Sequence, residues 1–337
     1  MLRAMDSAVS GLRAHQNKMD VIGNNIANVN TSGYKSQNYT FKDAMYQTTT
    51  ASSNGQSGTV GGSNAVQYGY GSVTGAISTD MTSSTPSYVG GFNASINGSG
   101  FFITKSTGTG TNIDTKVTAD NSAETISNNL KAANFNFTRV GQFSVDANGY
   151  MVDANGNFVY GFQPLGNNNS TTLTLDEIGN PGYKYGTTLT ALRAPALTGS
   201  TTVEAEARLN FTGGATQLKS VQIDNDGTVK GTISFNGESK NVVIGKVAIA
   251  NFQNQEGLMK AGNNNFNASA NDNSGFMTAT MPGGSTSSLM SGYLESSNVD
   301  LAKEFSDMIV TERGFQANSK MITVSDEILQ ELVNMKR

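Results

Sequence analysis

Both ends of this 337-residue chain carry apolar residues at helical spacing, and almost nothing between them does. Leu2, Met5, Val9, Leu12, Met19 and Ile26 fall on one heptad seam, interrupted by Gln16 and Gly23. Apolar residues recurring every 3.5 residues place a stripe along one side of a helix. The spacing predicts a helix from Leu2 to Val29, about 42 Å long at 1.5 Å per residue. Asn28, Asn30 and Gly33 tolerate left-handed backbone and should end it. At the other end a helix is expected from Ser297-Asn298-Val299-Asp300, with Ser297 as cap and Asp300 near the positive helix end. Leu301, Phe305, Met308, Phe315, Ile322, Leu329 and Val333 form one seam there, with Glu312, Ser319 and Asp326 in its remaining places. Val310, Ala317, Met321, Val324 and Ile328 form a second stripe elsewhere around that helix. One partner cannot bury both, so this helix needs several neighbours. Helices of this kind at both extremes suit a subunit whose termini meet each other and their neighbours in an assembly. Periodicity alone leaves a long core helix of a globular domain as the alternative.

The body between them is turn-rich. Charged residues make up 14%, against roughly 25% in ordinary globular proteins, and there are 38 glycines. Gln47 to Ser63 is rich in Ser, Thr and Gly and is expected to be an extended linker. Asn97-Gly98-Ser99-Gly100 between two apolar runs signals a hairpin. The pattern Val-Asp-Ala-Asn-Gly occurs twice, at Val145–Gly149 and Val152–Gly156, and Asn-Gly favours type I′ turns. Asp226-Gly227 and Asn236-Gly237 mark two more hairpins, and Val242 to Phe252 suits a central strand. The expected fold class is α+β, mainly β: terminal helices form a coiled-coil-like inner domain, and antiparallel β structure forms the outer domains. The expected divisions are 1–35 with 295–337 for the helical domain and 36–75 for an extended linker. Residues 76–164 with 215–294 make a β-rich middle domain, and 165–214 a small inserted β unit.

Chemistry-bearing patterns are sparse. There is no cysteine, which excludes disulfides, thiolate metal sites and a cysteine nucleophile. His15 is the sole histidine, so a His-His zinc pair is excluded and a Ser-His-Asp triad has one candidate base. Asp146, Asp153 and Asp224 begin sequences like calcium loops, but position 12 falls on Asn157, Pro164 and Phe235, none of which can bind a cation bidentately. Acidic pairs such as Asp176-Glu177 lack the tryptophan platforms common in sugar clefts, and no phosphate-binding loop is present. Net charge is −4, with no Lys/Arg cluster to attract nucleic acid. No run approaches 18 apolar residues, so no membrane insertion is expected, and the first residues lack the apolar core of a cleaved signal. The expectation is a structural protein that is not an enzyme and has no metal or cofactor.

The segment Gly23-Asn24-Asn25-Ile26-Ala27-Asn28-Val29-Asn30-Thr31-Ser32-Gly33-Tyr34-Lys35 strongly resembles the N-terminal motif of the bacterial flagellar rod and hook proteins. Leu294–Phe305, Met308-Ile309 and Phe315–Lys320 resemble the matching C-terminal motif, and Ala250–Leu258 extends the likeness inward. Within the family, Gly61–Gly71 looks like the linker of hook proteins and the inserted unit like a reduced outer domain; a distal-rod protein is the alternative. The resemblance implies a subunit of a curved, flexible tube acting as a universal joint between rod and filament. It implies export through the flagellum's own apparatus, an extracellular location, and self-association. Further partners would be the rod, the hook cap and the hook–filament junction proteins. The implied self-assembly residues are the two seams together with Ile22, Asn24, Asn25, Asn28 and Ile309. Alone, such helices would be poorly buried, so they are expected to be disordered in the monomer. A surface adhesin or glycan-binding β protein is the reading from another class.

Overall fold

The structure is a computed structural model describing residues 2–55, 61–106, 113–114, 123–146, 149–165, 172–174, 184–193, 202–204, 216–235, 238–269, 272–283 and 287–335. Three α-helices are present among these: α1 (Leu2–Ala27), α2 (Ala123–Ala132) and α3 (Leu301–Met335). The chain divides into two compact units. One holds Met1–Asn30, Lys35–Asp80 and Val299–Arg337, and the other holds Thr31–Tyr34 and Met81–Asn298.

In the first unit α1 and α3 pack antiparallel. Asn25 meets Glu304 at one end, His15 lies against Gly314, and Gly11 lies against Asn318. A methyl group on Gly314 would sit 2.6 Å from His15 Cε1, and one on Gly11 2.7 Å from Asn318 Nδ2. Two glycines therefore let the helices approach more closely than any larger side chain would. Both helices are formed within this single chain. The pair has a seam of its own, and a ribbon braces α1 on another side.

That ribbon replaces the expected linker. β1 (Gln37–Asp43) and β2 (Tyr46–Thr50) run out, and β3 (Val66–Gly69) and β4 (Ser72–Thr79) return. β1 pairs with β4 and β2 with β3, both antiparallel and each with one bulge. Ala44 N–H to Gly71 O and Tyr70 N–H to Met45 O join the two ladders. Ser and Thr read as linker residues by composition, yet β-branched Thr also fits a pleated strand. Ser10 Oγ donates to Tyr70 O and Asn17 Nδ2 to Thr74 Oγ1, fixing α1 on the ribbon.

The helix ends also shift. α1 stops at Ala27, where the Asn28 amide donates to Asn24 O at 2.9 Å and satisfies a terminal carbonyl. α3 starts at Leu301 and its cap is Asp300, not Ser297. Asp300 Oδ1 accepts from Ala302 N at 2.9 Å and Lys303 N at 3.4 Å, the two amides a cap must serve.

The second unit is a β body around a sheet whose two faces are both covered. Alternation along Phe101–Lys105 sends Phe101 and Ile103 to one cluster and Phe102 to the other. Phe158–Leu165 does the same with Tyr160 and Phe162 against Val159. The first cluster is aromatic: Phe101, Phe137 and Phe252 meet edge to face at 4.9–5.9 Å. α2, which the sequence reading did not anticipate, caps that cluster with Ile126 and Leu130.

Four local expectations need correction here. The strands Ala94–Asn97 and Phe101–Lys105 flank the Asn97–Gly100 turn but do not pair. The first pairs with Ser288–Ser291, the second with Asn136–Thr138, Phe158–Leu165 and Ile249–Phe252. Gly100 has φ +129°, and a side chain there would strike Ile249 at 2.3 Å, so the turn crosses between sheets. The Asp-x-x-Gly turns do make hairpins, but not of type I′. At Asp153 and Asp224 the glycine N–H three residues on donates back to the aspartate carbonyl, and that glycine alone takes positive φ. This is a type I turn followed by a bulge glycine. The run Val242–Phe252 is two strands, Glu238–Val247 and Ile249–Phe252, with different partners. Within the expected insert, Lys184–Ala191 pairs with Phe158–Leu165, and Leu189 and Leu192 are core, so this part belongs to the main sheet. Thr172–Thr174 pairs with Thr202–Glu204 apart from that sheet, and the rest of the insert lies outside the described residues.

Candidate functional site

The helix pair carries the features with functional content. Its buried seam is narrow and largely polar or small. On α1, Ala8, Gly11, Ile22 and Asn25 are buried, and on α3, Glu304, Thr311 and Ser325 are; Ala14 is buried on the side of α1 that faces β4. Glu304, Thr311, Asn318 and Ser325 follow one another at seven-residue intervals, interleaved with half-buried Met308, Phe315, Ile322 and Leu329. Thr311 and Ser325 fit because each hydroxyl donates to the carbonyl four residues earlier, at 2.6 and 2.8 Å.

This rotates the sequence-derived seam on α1 by one position, about 100°. Met5, Leu12, Met19 and Ile26 are half-buried and Val9 is exposed, while the Leu2 side chain lies outside the described residues. A register one residue over satisfies the same heptad count, and the small side chains allow the closer approach. On α3 four of the seven expected seam residues, Met308, Phe315, Ile322 and Leu329, are half-buried on the side of α1. The other three, Leu301, Phe305 (50% exposed) and Val333 (65% exposed), face outward, as does Ile309. Val310, Met321, Val324 and Ile328 are exposed as well. Ile22 and Asn25 of the expected set are in the seam, Asn24 is exposed, and Asn28 is half-buried.

Asn25 is the hub of the first motif. Its amide donates to Gln37 O at 2.9 Å and to Glu304 Oε1 at 3.0 Å, and its oxygen accepts from Gln37 N at 3.0 Å. One side chain thus ties α1 to α3 and to the ribbon. Burial pushes the Glu304 carboxyl above its ordinary range; the Asn25 hydrogen bond pulls the other way. His15 is pushed down by burial and by nearby Lys18, and its ring lies 5.2 Å from Phe41. It is a packing residue in this arrangement.

In the β body the end of the first motif meets the start of the second. Gly33 N–H donates to Glu295 O at 2.8 Å, and Asn264 Nδ2 donates to Ser32 O at 3.2 Å. The Glu295 carboxylate lies 3.6 Å from Arg139, both side chains 1% exposed. Arg139 Nη1 donates to Gly98 O at 2.9 Å, and its guanidinium stands 5.5 Å from the Phe101 ring centre. Burial lowers the Arg139 pKa and Glu295 opposes that. The neighbouring cleft, about 270 Å³, is lined by Thr31, Ser32, Gln142, Asp153, Asn155 and Asn264 among others. Asp153 already accepts from Asn155 N, Asn157 N and the Asn157 amide. No group of three His, Asp or Glu placed to hold a metal occurs among the described residues. No described helix is long and apolar enough to cross a membrane.

The same two terminal stretches match known families. Residues 5–35 match the family described as "Flagella basal body rod protein", and residues 290–335 match "Flagellar basal body rod FlgEFG protein C-terminal". The chain is 37% identical to the flagellar basal-body rod protein FlgG of Bacillus subtilis, over all of both chains. It is 30% identical to the flagellar hook protein FlgE of Salmonella typhimurium over 99% of this chain and all of that one. With the hook protein FlgE of Borreliella burgdorferi it shares 27% over the full length of both.

Proposed function

The chain belongs to the bacterial flagellar rod and hook protein family, and we propose that within it this chain is the subunit of the hook. Copies would polymerise into a curved tube that passes torque from rod to filament. The terminal helices would form the inner wall and the β body the outer surface. Export would run through the flagellum's own apparatus, and the partners along the axis would be the rod, the hook cap and the hook–filament junction proteins. The reading predicts no catalytic role.

Support for polymerisation comes from the outer face of α3. A 35-residue helix that leaves Phe305, Ile309, Val310, Met321, Val324, Ile328 and Val333 exposed is waiting for neighbours. Support for the hook comes from one observation in the body. The strand pair Thr172–Thr174 and Thr202–Glu204 forms a two-stranded sheet of its own, not hydrogen-bonded to the main sheet, as an added outer unit would. Bending a tube requires subunits to slide on one another. Polar surfaces rich in Ser, Thr and Asn can exchange water-mediated contacts as they slide, whereas apolar helix seams resist it. A second reading, the distal rod, is favoured by the higher identity to a rod-named relative, 37% against 30%.

Deleting the gene and imaging purified basal bodies by electron microscopy separates these. Complete rods without hooks support the proposal. Rods truncated short of their outer end would make this the distal-rod subunit, and normal hooks and filaments would refute both.

A further inference from the structure

A groove of about 310 Å³ runs between α1 and β4 on the side of α1 away from the α3 seam. Val9 and Val73 form its apolar wall, Ala14 lies at its floor, and Asp6 and Arg13 stand along it seven residues apart. The seam residues Ala8, Gly11, His15 and Ile22 project from the other side of the helix, so the chain's own α3 cannot reach the groove. On α3 the outer stripe Met321, Val324 and Ile328 is equally without cover. Lys320 and Glu327 flank it, again seven residues apart. Asp6, Arg13, Lys320 and Glu327 are all exposed, and none forms an ion pair among the described residues.

We propose that this groove receives the outer stripe of α3 from a second copy, the two helices parallel, with Asp6 opposite Lys320 and Arg13 opposite Glu327. The charge order fixes the direction. From N to C the groove reads negative then positive, and the stripe reads positive then negative. Parallel docking makes two attractions; antiparallel docking would set Asp6 against Glu327 and Arg13 against Lys320, which repel. In the parallel register Val324 falls midway between the two charges, level with Val9. The spacing of seven on both sides keeps both charge pairs in step over two helical turns.

Groove and stripe are different surfaces, one between α1 and β4 and the other on the exposed face of α3. Such a contact is heterologous: each copy still offers a free groove and a free stripe, so association continues past two copies, into a ring where the rotation closes and an open helical polymer where it does not. The inference rests on the self-assembly reading above and adds the surface, partner segment and register.

Because the chain has no cysteine, single substitutions report contacts between copies without background. Full-length Val9→Cys and Val324→Cys chains are to be mixed, polymerised and oxidised, with either variant alone and a Val9→Cys plus Val310→Cys mixture as controls. The expected result is a disulfide-linked heterodimer from the first mixture only. In parallel, Asp6→Lys should lower polymer yield at least tenfold, and adding Lys320→Asp to the same chain should restore it; rescue cannot come from a misfolded variant. Normal polymers with no Val9–Val324 crosslink, crosslinking through Val310, or failure of the rescue would overturn the register while leaving self-assembly standing. Absence of polymer from the unaltered chain would overturn the self-assembly reading, and this inference with it.

Discussion

Replacing Asn25 by Ala removes three hydrogen bonds at once, and the structure gives the scale of the loss. The two bonds with Gln37 serve backbone groups that are half-buried, so water can partly replace them; each is worth about 1 kcal/mol. The bond to Glu304 serves a carboxylate whose residue is only 7% exposed. Leaving such a group unpaired costs about 1.5–3 kcal/mol. The sum is about 3–5 kcal/mol, a large share of the stability of a domain. Asn24→Ala, one residue away, removes an exposed side chain whose hydrogen-bond partner among the described residues is Asn28, and should cost under about 0.5 kcal/mol. Urea unfolding of the monomer followed at 222 nm reports the helices directly. Asn25→Ala should lower the midpoint sharply and Asn24→Ala should leave it in place. Equal, small shifts for both variants would refute the idea that Asn25 ties the helices and the ribbon together.

Three further outcomes are expected. The Glu304 carboxyl is raised by burial, so the folded state binds the proton more tightly, and stability falls as pH rises through the raised pKa. Glu304→Gln keeps the acceptor for Asn25, so thermal melts should show it at least as stable as the parent at pH 7, without that pH dependence. Asp272 is pushed up by burial, but hydrogen bonds from Ser274, Ser269 and Lys131 bring it below the ordinary range. Its contribution is present above the unfolded pKa and lost as pH falls through the lower folded value; Asp272→Ala should cost about 3–5 kcal/mol in a melt at pH 7 by stranding buried Lys131. Phe305→Ala should cost about 1 kcal/mol or less in the monomer, because the ring is 50% exposed, yet abolish polymer in a sedimentation assay; normal polymer yield would remove Phe305 from the assembly surface.

The existence of α1 and α3 was legible because apolar heptads over four or more turns have no other reading. Which residues face inward was not. Leu12 and Gly11 differ by one step in the same heptad count, and only the partner decides that the glycine belongs at the contact. Glu304, Thr311, Asn318 and Ser325 escaped because polar residues do not announce a seam, although their seven-residue spacing was a usable signal. The ribbon Gln37–Thr79 was hidden by composition: its strands pair with each other over a distance that local pattern cannot register. Asn97–Gly100 failed for a related reason, since a turn signal says that the chain bends and not which strand it bends toward. α2 carried an i, i+4 pair, Ile126 and Leu130, with Glu124 in its first turn and Lys131 in its last. That short signal was lost among Asn and Ser. By contrast, the Asp-x-x-Gly turns at Asp153 and Asp224 were placed correctly, and only their geometry differed.

The most direct measurement of the central proposal is immunogold labelling of purified hook–basal bodies with antibody raised against this chain. Gold along the curved segment between the rod and the filament is the expected result. Gold confined to the straight rod, or absent from the particle, would contradict it.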